Sequence, residues 1–502
     1  MDKFYITATL PYVNASPHLG FALEIVQADA IARYQKLLGK EVFFNTGTDE
    51  HGIKIYRKAR EEGKETQGYV DEYAEKFKQL MPALGVVDDI HFIRTTDAGH
   101  KQACQEFWKR CLGNGDIYKK NYHVKYCVGC ELEKTESELN ENGRCTIHNN
   151  LEIEEIEEEN YFFKWSKYQK PLLEYYEKHP DFVVPDFRFN EIKEFVKSGL
   201  QDFSISRLKE KMPWGVSVPD DEKHVMYVWF DALINYVSTL GWPETADEWA
   251  NYSPGSQPIH GLFEEYWGTK DQPNAIQIAG KDNLRQQSAM WQAMLMSAGL
   301  PNSKQIIIHG FITSGGQKMS KSLGNVADPY KILDILQAKG LSKEQAIDAL
   351  RYYLLREIST FEDGDYTWER LVESYNANLA NGLGNLTSRI LKMAANAGMS
   401  HELLSMKQGQ NSYLEKFELQ KAMDEIWHKI SACDEYIQKN EPFKKIKTDE
   451  AGAKKDIEYL LLELNEIAVT LQSFLPQTSE KILQALKNVL AENIPRLFPR
   501  VE

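Results

Sequence analysis

Residues 4–20 read FYITATLPYVNASPHLG, and this stretch decides the predicted fold. Its first seven residues alternate apolar and more polar side chains and are followed by a proline, a pattern that predicts a β-strand running into a loop. Ser16 and Pro17 fit the N-cap and first position of a helix that extends to about Gly39. Residues 41–46 predict a second strand. This order of elements indicates a βαβ unit in a doubly wound parallel sheet, which binds ligands at the carboxyl ends of its strands.

Stretches outside this unit predict the rest of the sheet and a helical region. Each of three short apolar stretches runs into a loop, as expected of later strands of the same sheet: residues 226–229, 275–279 and 305–309. After about residue 366, apolar residues recur at helical spacing. We expect a bundle there, with helices at about 370–398, 414–438 and 453–475. The sequence therefore predicts an α/β sheet domain followed by an all-α bundle.

The composition limits the classes of function. Of 502 residues, 42% are apolar and 26% are charged, which excludes a generally disordered chain. The 59 Lys and Arg against 74 Asp and Glu give a net charge of −15, so a nucleic acid must be met by local basic patches. No apolar run of about 18 residues predicts a membrane span, and the first ten residues are unlike a signal peptide. We therefore expect a cytoplasmic protein that does not contact membranes.

Four residues have the spacing of a metal site. Cys127 and Cys130 form a Cys-x-x-Cys pair, and Cys145 and His148 form a second pair that begins after fourteen intervening residues. Three thiolates and one imidazole suit a closed, tetrahedral Zn²⁺ site, which predicts one structural zinc per chain. Buried thiols beside a surface histidine are the alternative interpretation. The other cysteines have no partner at such spacing and are predicted to pack in the core: Cys104, Cys111 and Cys433.

Two stretches suit a phosphorylated substrate. Residues 17–20, PHLG, begin the first predicted helix, where free backbone N–H groups and the helix dipole favour an anion and His18 can donate to a phosphoryl oxygen. Residues 315–322, GGQKMSKS, form a glycine-led loop after a strand. Lys318 and Lys321 in this loop can neutralise charge that develops on a leaving pyrophosphate. Taken singly, a histidine at a helix start or a lysine pair is usually only solvated surface.

Together, these two stretches resemble the paired signatures of the class I aminoacyl-tRNA synthetases. Four further motifs fall in the order and spacing of the methionyl-tRNA synthetase family: ATLPY at 8–12, GTDEHG at 47–52, YVWFDA at 227–232 and GKD at 280–282. The resemblance covers essentially the whole chain. It implies a Rossmann-like catalytic domain with a zinc-binding insertion, followed by a helical anticodon-binding domain.

The same resemblance implies which residues contact the small substrates. It implies a methionine pocket formed by Leu10, Tyr12, Asp49, Trp229, Ala232, Tyr236, Gln287 and Trp291. It implies ATP contacts, with Mg²⁺ accompanying the nucleotide, from His18, Gly20, Glu24, Gly280, Asp282, Lys318 and Lys321. His18, Lys318 and Lys321 are the implied catalytic residues, and Asp49 holds the substrate ammonium. Aromatic and aliphatic side chains do suit a thioether, although aromatic residues beside strands are more often ordinary core.

Three residues of the predicted bundle resemble the family's anticodon-reading positions. Asn385 and Arg389 are four residues apart and therefore share one helix face. Phe443, in EPFKK at 441–445, stands where the family usually has Trp, and Phe can also stack on a base. The lysines beside it supply local positive charge. We expect these three side chains to bind the anticodon.

Two positions depart from the family pattern. The first signature usually ends in a second histidine, and here Phe21 stands in its place, so His18 and the loop lysines must act without it. The pocket often has a histidine four residues before the tryptophan that matches Trp291, and here Gln287 stands there. An amide can hydrogen-bond but cannot titrate, so the polarity of the pocket is open.

The implied function is that of a methionine–tRNA ligase acting on methionine, ATP and tRNA(Met), as a monomer. Five domains are implied: residues 1–117 and 221–325 as the two halves of the catalytic domain, 118–220 as the zinc-binding insertion, 326–366 as a linker contacting the tRNA stem, and 367–502 as the anticodon-binding bundle. Three alternatives stay open: another class I synthetase, a nucleotidyltransferase with a similar sheet, and a tRNA-binding module without activity. The short stretch between residues 46 and 227 leaves little room for the editing insertion of the related synthetases. A nucleotidyltransferase does not explain the helical bundle, and the intact His18, Lys318 and Lys321 argue against an inactive module.

Overall fold

The computed structural model describes residues 2–130, 132–134, 138–243, 262–319, 325–399, 409–487, 489–490 and 493–502. Its first elements are β1 (Lys3–Thr7), α1 (Leu19–Leu37), β2 (Glu41–Thr48), α2 (Ile53–Glu61), α3 (Thr66–Ala83), β3 (His91–Arg94) and α4 (Ala98–Gly113). These are followed by β4 (Ile117–Cys127), β5 (Leu132–Lys134), β6 (Glu154–Phe163), α5 (Gln169–Lys178), β7 (Val183–Val184), α6 (Asp186–Lys197), β8 (Phe203–Ser204), β9 (Ser206–Leu208), β10 (Ser217–Val218) and β11 (Asp221–Met226).

The second half of the chain begins with short helices and returns to the sheet. Its elements are α7 (Val228–Ala232), α8 (Asn235–Ser238), β12 (Ala275–Gly280), α9 (Trp291–Ser297), β13 (Gln305–His309), β14 (Ile312–Ser314), β15 (Gln317–Lys318), α10 (Pro329–Ala338), α11 (Lys343–Tyr352) and β16 (Gly364–Tyr366). The C-terminal helices are α12 (Trp368–Ser374), α13 (Asn385–Asn396), α14 (Leu419–Asn440), α15 (Pro442–Lys445), α16 (Glu450–Leu471) and α17 (Pro476–Lys487). Turns of π-helix span Phe263–Trp267, Gln286–Met290, Tyr353–Glu357 and Tyr375–Gly384.

Six parallel strands form the central sheet, in the order β3-β2-β1-β12-β13-β7. In the middle of the sheet, Tyr5 of β1 lies beside Phe43 of β2 on one side and Ala275 of β12 on the other. The chain order reverses between β1 and β12, which is the point where doubly wound sheets bind ligands. The predicted doubly wound sheet is confirmed, and the loops that follow β1, β2, β12 and β13 meet at one edge.

Two apolar cores cover the two faces of this sheet. Because side chains alternate along a strand, Phe4 and Ile6 of β1 enter one core, which continues through α1 into the C-terminal helices. Tyr5 enters the other core, where Phe107 of α4 and Trp291 of α9 are also buried. The sheet therefore lies between two packed layers of helices, and these layers fix the positions of the loops at its edge.

The predicted strand at 226–229 is wrong in both type and partner. β11 ends at Met226 and pairs antiparallel with β9 and β10 in a separate sheet, and α7 begins at Val228. A short apolar run cannot distinguish a buried strand from a buried helix, and here it contains the junction of the two. The predicted N-cap at Ser16 is also wrong, because the capping residue is His18.

The inserted region contains a long antiparallel pair. β4 pairs with β6, from Ile117 opposite Phe163 to Tyr126 opposite Glu154. Two contacts connect this region to α2: Lys54 Nζ donates to the carbonyl of Gly129 at 3.1 Å, and Arg57 pairs with Glu154 at 2.9 Å. The insertion therefore lies against the helix that follows residues 47–52.

The predicted helical bundle is confirmed, with shifted helix ends. α16 buries the apolar stripe that predicted it, including Leu460 and Leu464, and packs against α13, α14 and α17. A buried ion pair connects the bundle to the sheet, since Arg351 of α11 lies 2.7 Å from Asp29 of α1 and donates to the carbonyl of Phe474. In the described part of the chain, no helix is long and apolar enough to cross a bilayer.

Candidate active site

His18 caps the start of α1 at the switch point of the sheet. Its Nδ1 accepts a hydrogen bond from the backbone N–H of Gly20 at 3.0 Å. A Cβ at residue 20 would lie 2.8 Å from His18 Cε1, so glycine leaves the space that this ring position requires. The ring reaches solvent, yet partial desolvation by the surrounding protein lowers the pKa of His18. A neutral ring that accepts at Nδ1 carries its proton on Nε2, where it can donate to a bound anion.

The predicted free N–H groups at this helix start are wrong. The Leu19 N–H donates to the carbonyl of Ala327, Gly20 donates to His18, and Phe21 and Ala22 donate to the His18 carbonyl. Three of the four donors that a helix start usually leaves open, those of Leu19, Gly20 and Phe21, are therefore used within the protein, and the Ala22 bond is the first regular bond of the helix. The helix dipole and the Nε2–H of His18 remain to attract a phosphate.

The lysine-containing loop is anchored on both sides, and the anchor after the loop adjoins His18. Before the loop, β14 and β15 form a hairpin through Gly315 and Gly316, whose φ angles of 61° and 75° favour glycine. Asp365 fixes this hairpin by accepting from Thr313 Oγ1 and the Gly316 N–H. After the loop, Ala327 accepts from the first residue of α1.

The backbone of Lys318 pairs with that of Thr313, but the Lys318 side chain and the whole of Lys321 lie outside the described residues. Their role therefore stays a prediction.

Glu24 and His309 form a buried pair beneath the predicted adenosine contacts. Glu24 Oε1 accepts from the backbone and hydroxyl of Thr9, and its Oε2 lies 2.9 Å from His309 Nε2. His309 Nδ1 lies 2.7 Å from the Gly310 carbonyl, so both ring nitrogens face acceptors. Burial favours the neutral ring, but the hydrogen bond to Glu24 raises the pKa of His309. A Cβ on Gly280 would contact both Asp282 and His309, so these residues meet in one place.

Asp49 and Tyr12 lie side by side at the ends of neighbouring segments. Residues 12 and 49 form a parallel bridge, in which Asp49 N donates to the Pro11 carbonyl at 3.0 Å and Val13 N to that of Asp49 at 3.1 Å. Asp49 is 8% exposed, a low value for a carboxylate. A largely buried carboxylate beside an aromatic ring suits an ammonium group.

A carboxylate held by two histidines supports this region. Asp231 accepts from His51 Nδ1 at 2.7 Å and from His100 Nε2 at 3.0 Å. Although burial opposes ionisation, these two histidines lower the pKa of Asp231 to about 2. Asp231 lies on α7 between Trp229 and Ala232, and His51 follows Asp49 by two residues. The triad therefore connects the helix of the predicted pocket to the segment that carries the predicted ammonium ligand.

The remaining predicted pocket residues form a mainly aromatic wall. Tyr236 and Trp291 pack edge to face with ring centres 6.0 Å apart, and Gln287 donates to the Tyr236 hydroxyl at 2.6 Å. Trp291 is fully buried and also stacks on Phe107. Leu10 and Trp229 are partly exposed, whereas Ala232 is buried.

The predicted metal ligands come together. One donor atom from each of Cys127, Cys130, Cys145 and His148 lies within 4.8 Å of the others. His148 turns Nδ1 toward the sulfurs, 3.2 Å from Cys130 Sγ and 3.9 Å from Cys127 Sγ. A Cβ on Gly129 would lie 2.5 Å from His148 Cγ, so a glycine is required beside the imidazole. Three sulfurs and one imidazole nitrogen in this arrangement could hold a metal ion.

The predicted anticodon residues lie on the bundle. Asn385 is exposed at the first turn of α13, and Arg389 one turn later pairs with Asp434 of α14. Phe443 on α15 is 47% exposed, unusual for a phenylalanine, and Lys444 Nζ lies 5.8 Å from its ring centre. Arg389 contacts α14 at Asp434, near the end of that helix at Asn440, and Phe443 follows on α15.

Comparison with known proteins identifies the family of this chain. The family model described as "tRNA synthetases class I (M)" matches residues 4–140 and 130–391, and the model for the anticodon binding domain of methionyl tRNA ligase matches residues 392–496. The methionine–tRNA ligase of Thermotoga maritima is 40% identical over 96% of this chain and 75% of its own length. That of Thermosynechococcus vestitus is 40% identical over 95% of this chain and 89% of its own. The chain belongs to the methionyl-tRNA synthetase family.

A solved structure of a methionyl-tRNA synthetase supports the same assignment. The Mycobacterium tuberculosis methionyl-tRNA synthetase in complex with methionyl-adenylate superposes with a TM-score of 0.84 at 34% identity. The match covers 100% of this chain and 98% of that one. Membership of the family removes the nucleotidyltransferase and the inactive tRNA-binding module from the alternatives, as well as synthetases for other amino acids.

Three histidines and one aspartate of this methionyl-tRNA synthetase fold were missed by sequence reasoning: His51, His100, Asp231 and His309. His51 and Asp231 lie within the quoted motifs GTDEHG and YVWFDA, so the motifs themselves signalled them. His309 ends a predicted strand at the ligand-binding edge, which is a weaker signal. His100 has no local signal, because only the fold brings α4 beside α7.

Proposed function

We propose that this chain activates methionine with ATP to form methionyl-adenylate and pyrophosphate, and then transfers the methionyl group to the 3′ end of tRNA(Met). The methionine carboxylate attacks the α-phosphorus in line and pyrophosphate leaves. A ribose hydroxyl of the tRNA then attacks the methionyl carbonyl and AMP leaves. One observation supports this most directly: Tyr12 and Asp49 follow β1 and β2 as bridged neighbours, and His18 at the start of α1 adjoins Ala327 after the lysine loop, so these residues lie at the same edge of the sheet.

In this proposal, Asp49 binds the α-ammonium group of methionine. The Tyr12 ring lies next to it, and the wall around Tyr236 and Trp291 receives the thioether side chain. Leu10, Trp229, Ala232 and Gln287 complete the pocket. Because the pocket is mainly apolar and aromatic, it selects by shape and polarisability, and it excludes charged side chains that would lose their hydration.

The phosphate and adenosine contacts divide between two sides of the switch point. His18 donates from Nε2 to a phosphoryl oxygen, and Lys318 and Lys321 stabilise the leaving pyrophosphate with its Mg²⁺. Gly20 leaves room for the His18 ring. Gly280 and Asp282 face the adenosine, while Glu24 acts mainly through His309, since its carboxylate already accepts from Thr9 and His309.

We assign the four-residue cluster to a structural Zn²⁺. Cys127, Cys130, Cys145 and His148 supply all four positions of a tetrahedral site, so no position is left for a substrate or water. The metal stabilises the insertion, which contacts α2 through Lys54 and Arg57. The proposed domain bounds remain those predicted from sequence. A cytoplasmic monomer agrees with a reaction that needs only methionine, ATP and tRNA.

The proposed reaction is tested by ATP–pyrophosphate exchange against a panel of amino acids. We expect methionine to give the highest kcat/KM. Norleucine, of nearly the same shape, should be activated detectably, because differences of this size are worth only about 1 to 3 kcal/mol. A branched amino acid preferred over methionine would overturn the substrate assignment.

The proposed anticodon site predicts a separation of the two activities. Phe443→Ala removes a stacking surface worth about 1 to 3 kcal/mol per base, so tRNA charging should weaken roughly tenfold or more. Arg389→Ala should also reduce discrimination between a CAU anticodon and a mutated one, since alanine cannot hydrogen-bond a base edge. Steady-state aminoacylation measures both effects. Exchange without tRNA should stay near the wild-type rate, and wild-type charging by either variant would move the anticodon site elsewhere.

The exposed Tyr459 of α16 offers a matched control for the loss of an aromatic surface. It is 41% exposed and lies on the bundle, but it was not assigned to the anticodon site. Tyr459→Ala should therefore leave tRNA charging within about twofold of the wild type.

A further inference from the structure

A series of buried side-chain hydrogen bonds leads from α9, by way of β12, to Tyr236 of the proposed methionine pocket. It begins at Gln292 of α9, whose orientation is fixed by two backbone groups. Gln292 Oε1 accepts from the Ser303 N–H at 3.1 Å, and Gln292 Nε2 donates to the carbonyl of Gln287 at 2.9 Å. A backbone N–H can only donate and a carbonyl can only accept, so this amide has one possible orientation.

The direction of each later bond follows from the first. Gln292 Nε2 donates to Ser303 Oγ at 3.1 Å, and the Ser303 hydroxyl donates onward to Gln277 Oε1 at 2.5 Å. If Gln277 were turned around, the buried serine proton would have no acceptor. Gln277 Nε2 therefore faces Gln287 and donates to its Oε1 at 3.2 Å, and Gln287 Nε2 donates to the Tyr236 hydroxyl oxygen at 2.6 Å.

The chain ends with the proton of the Tyr236 hydroxyl. Gln287 donates to this hydroxyl, and the neighbouring Asn235 faces it as a second donor. The Tyr236 oxygen thus accepts from Gln287, and its own proton is left to point elsewhere. Burial raises the pKa of Tyr236, and the nearby carboxylates of Glu24 and Asp49 add to the rise. Tyr236 is therefore a protonated phenol that lies near enough to Asp49 and Glu24 for both carboxylates to act on it.

We propose that Gln277, oriented by Ser303 and Gln292, is a positioning residue that holds the Tyr236 hydroxyl as a hydrogen-bond donor into the amino-acid pocket. This inference rests on the proposed methionine site. A donor at this position favours a side chain that carries an acceptor atom, such as a thioether sulfur, over one that carries a methylene. Gln277 lies on the central strand β12, two hydrogen bonds away from the Tyr236 hydroxyl, and none of the sequence motifs includes it.

Gln277→Glu should reverse the direction of the hydrogen bonds between residue 277 and Tyr236 with almost no change in side-chain shape. An ionised carboxylate only accepts, so Gln287 must turn its NH₂ group toward residue 277 and its oxygen toward Tyr236. The Tyr236 hydroxyl then donates back to Gln287 and is lost to the pocket. Protonation of the introduced carboxyl restores a donor toward Gln287. Because burial raises a carboxyl pKa by up to 3 to 5 units, this protonation falls within the assayable pH range.

The experiment compares kcat/KM for methionine and norleucine in ATP–pyrophosphate exchange between pH 6 and pH 9. For Gln277→Glu, the ratio of methionine to norleucine should be within about twofold of the wild type at pH 6. At pH 9 it should fall about two- to tenfold, the range expected for one hydrogen bond. The loss should appear mainly in the KM for methionine. The wild-type ratio should be constant, because none of the hydrogen-bonded side chains from Gln292 to Tyr236 titrates between pH 6 and pH 9.

Two further variants keep the test decisive. Gln277→Met keeps the volume but removes the donor without adding a charge, so it should lower the ratio at every pH, and it decides the matter if Gln277→Glu does not fold. Gln337→Glu, the same change on exposed α10, should behave as the wild type. An unchanged ratio in both Gln277 variants overturns the positioning role. A wild-type protein that does not activate methionine overturns the proposed function itself.

Discussion

Replacing His18 with alanine should slow formation of methionyl-adenylate about a hundredfold, because the loss of one preorganised donor to transition-state charge costs about 3 kcal/mol. The Nε2–H of His18 is available for this purpose, since Nδ1 is occupied by the Gly20 N–H. Methionine affinity should change little, as Asp49 and the pocket wall do not contact this donor. Single-turnover adenylate formation measures the rate, and equilibrium binding of methionine measures the affinity.

His18→Ser separates catalysis from the structural role of the cap. Serine is a good N-cap residue, whereas alanine is poor and costs about 1 kcal/mol of stability. Both variants should lose the rate, but only His18→Ala should also melt at a lower temperature. If His18→Ser formed adenylate at the wild-type rate, His18 would be only a capping residue.

The pH dependence of His18 has a defined sign. The folded-state pKa is lowered, so the ring is neutral at pH 7 and its cap is fully present above the ordinary histidine pKa of about 6.5. The cap is lost as the pH falls through the lowered pKa, because a proton on Nδ1 removes the acceptor for Gly20. The contribution of His18 to the rate should therefore be constant from pH 8 to about pH 6.5.

Removal of the metal should have the second large effect, and it should act on stability. Structural zinc contributes on the order of 10 kcal/mol to the folding of small zinc-binding peptides. We expect about one zinc per chain by elemental analysis, and loss of that zinc in Cys130→Ala. The insertion should then become sensitive to proteolysis. Because Lys54 connects Gly129 to the neighbourhood of Tyr12, with Nζ 5.7 Å from the ring centre, the KM for methionine should also rise.

Cys433→Ala is the matched control for loss of a buried thiol. Cys433 is 2% exposed on α14 and lies outside the four-residue cluster. This variant should lose a little stability through the cavity but keep its zinc and its resistance to proteolysis. Zinc-free wild-type protein, or a Cys130→Ala variant with unchanged zinc content, would contradict the metal site.

Much of the fold could be predicted because its signals are local. The alternation over residues 4–10 predicted β1, and the apolar stripe of α16 predicted the bundle. The segments that the sequence did not predict correctly share a cause. β7 has two residues and lies at the sheet edge through its pairing with β13, and the run at 226–229 contains the end of a strand and the start of a helix. Such segments are decided by their neighbours and not by their own pattern.

The site was predictable to the extent that its residues lie in motifs. Cys127, Cys130, Cys145 and His148 meet as their spacing indicated, and Asp49 meets Tyr12. The prediction of free N–H groups at the start of α1 was wrong, because the Leu19 N–H donates to Ala327, more than 300 residues away in the chain. No local pattern could have indicated that bond.

The sequence predicted the sheet domain, the bundle, the family and the four-residue metal cluster, because hydrophobic periodicity and ligand spacing act over a few tens of residues. Which side chains of these elements contact one another depends on the folded chain. Glu24 and His309 are 285 positions apart in the chain, and the sheet brings them within 2.9 Å. The direction of the bonds from Ser303 to Tyr236 is likewise set by backbone groups of the folded chain. Hydrogen bonds of this kind depend on atomic positions, which exist only once both cores have packed around the sheet.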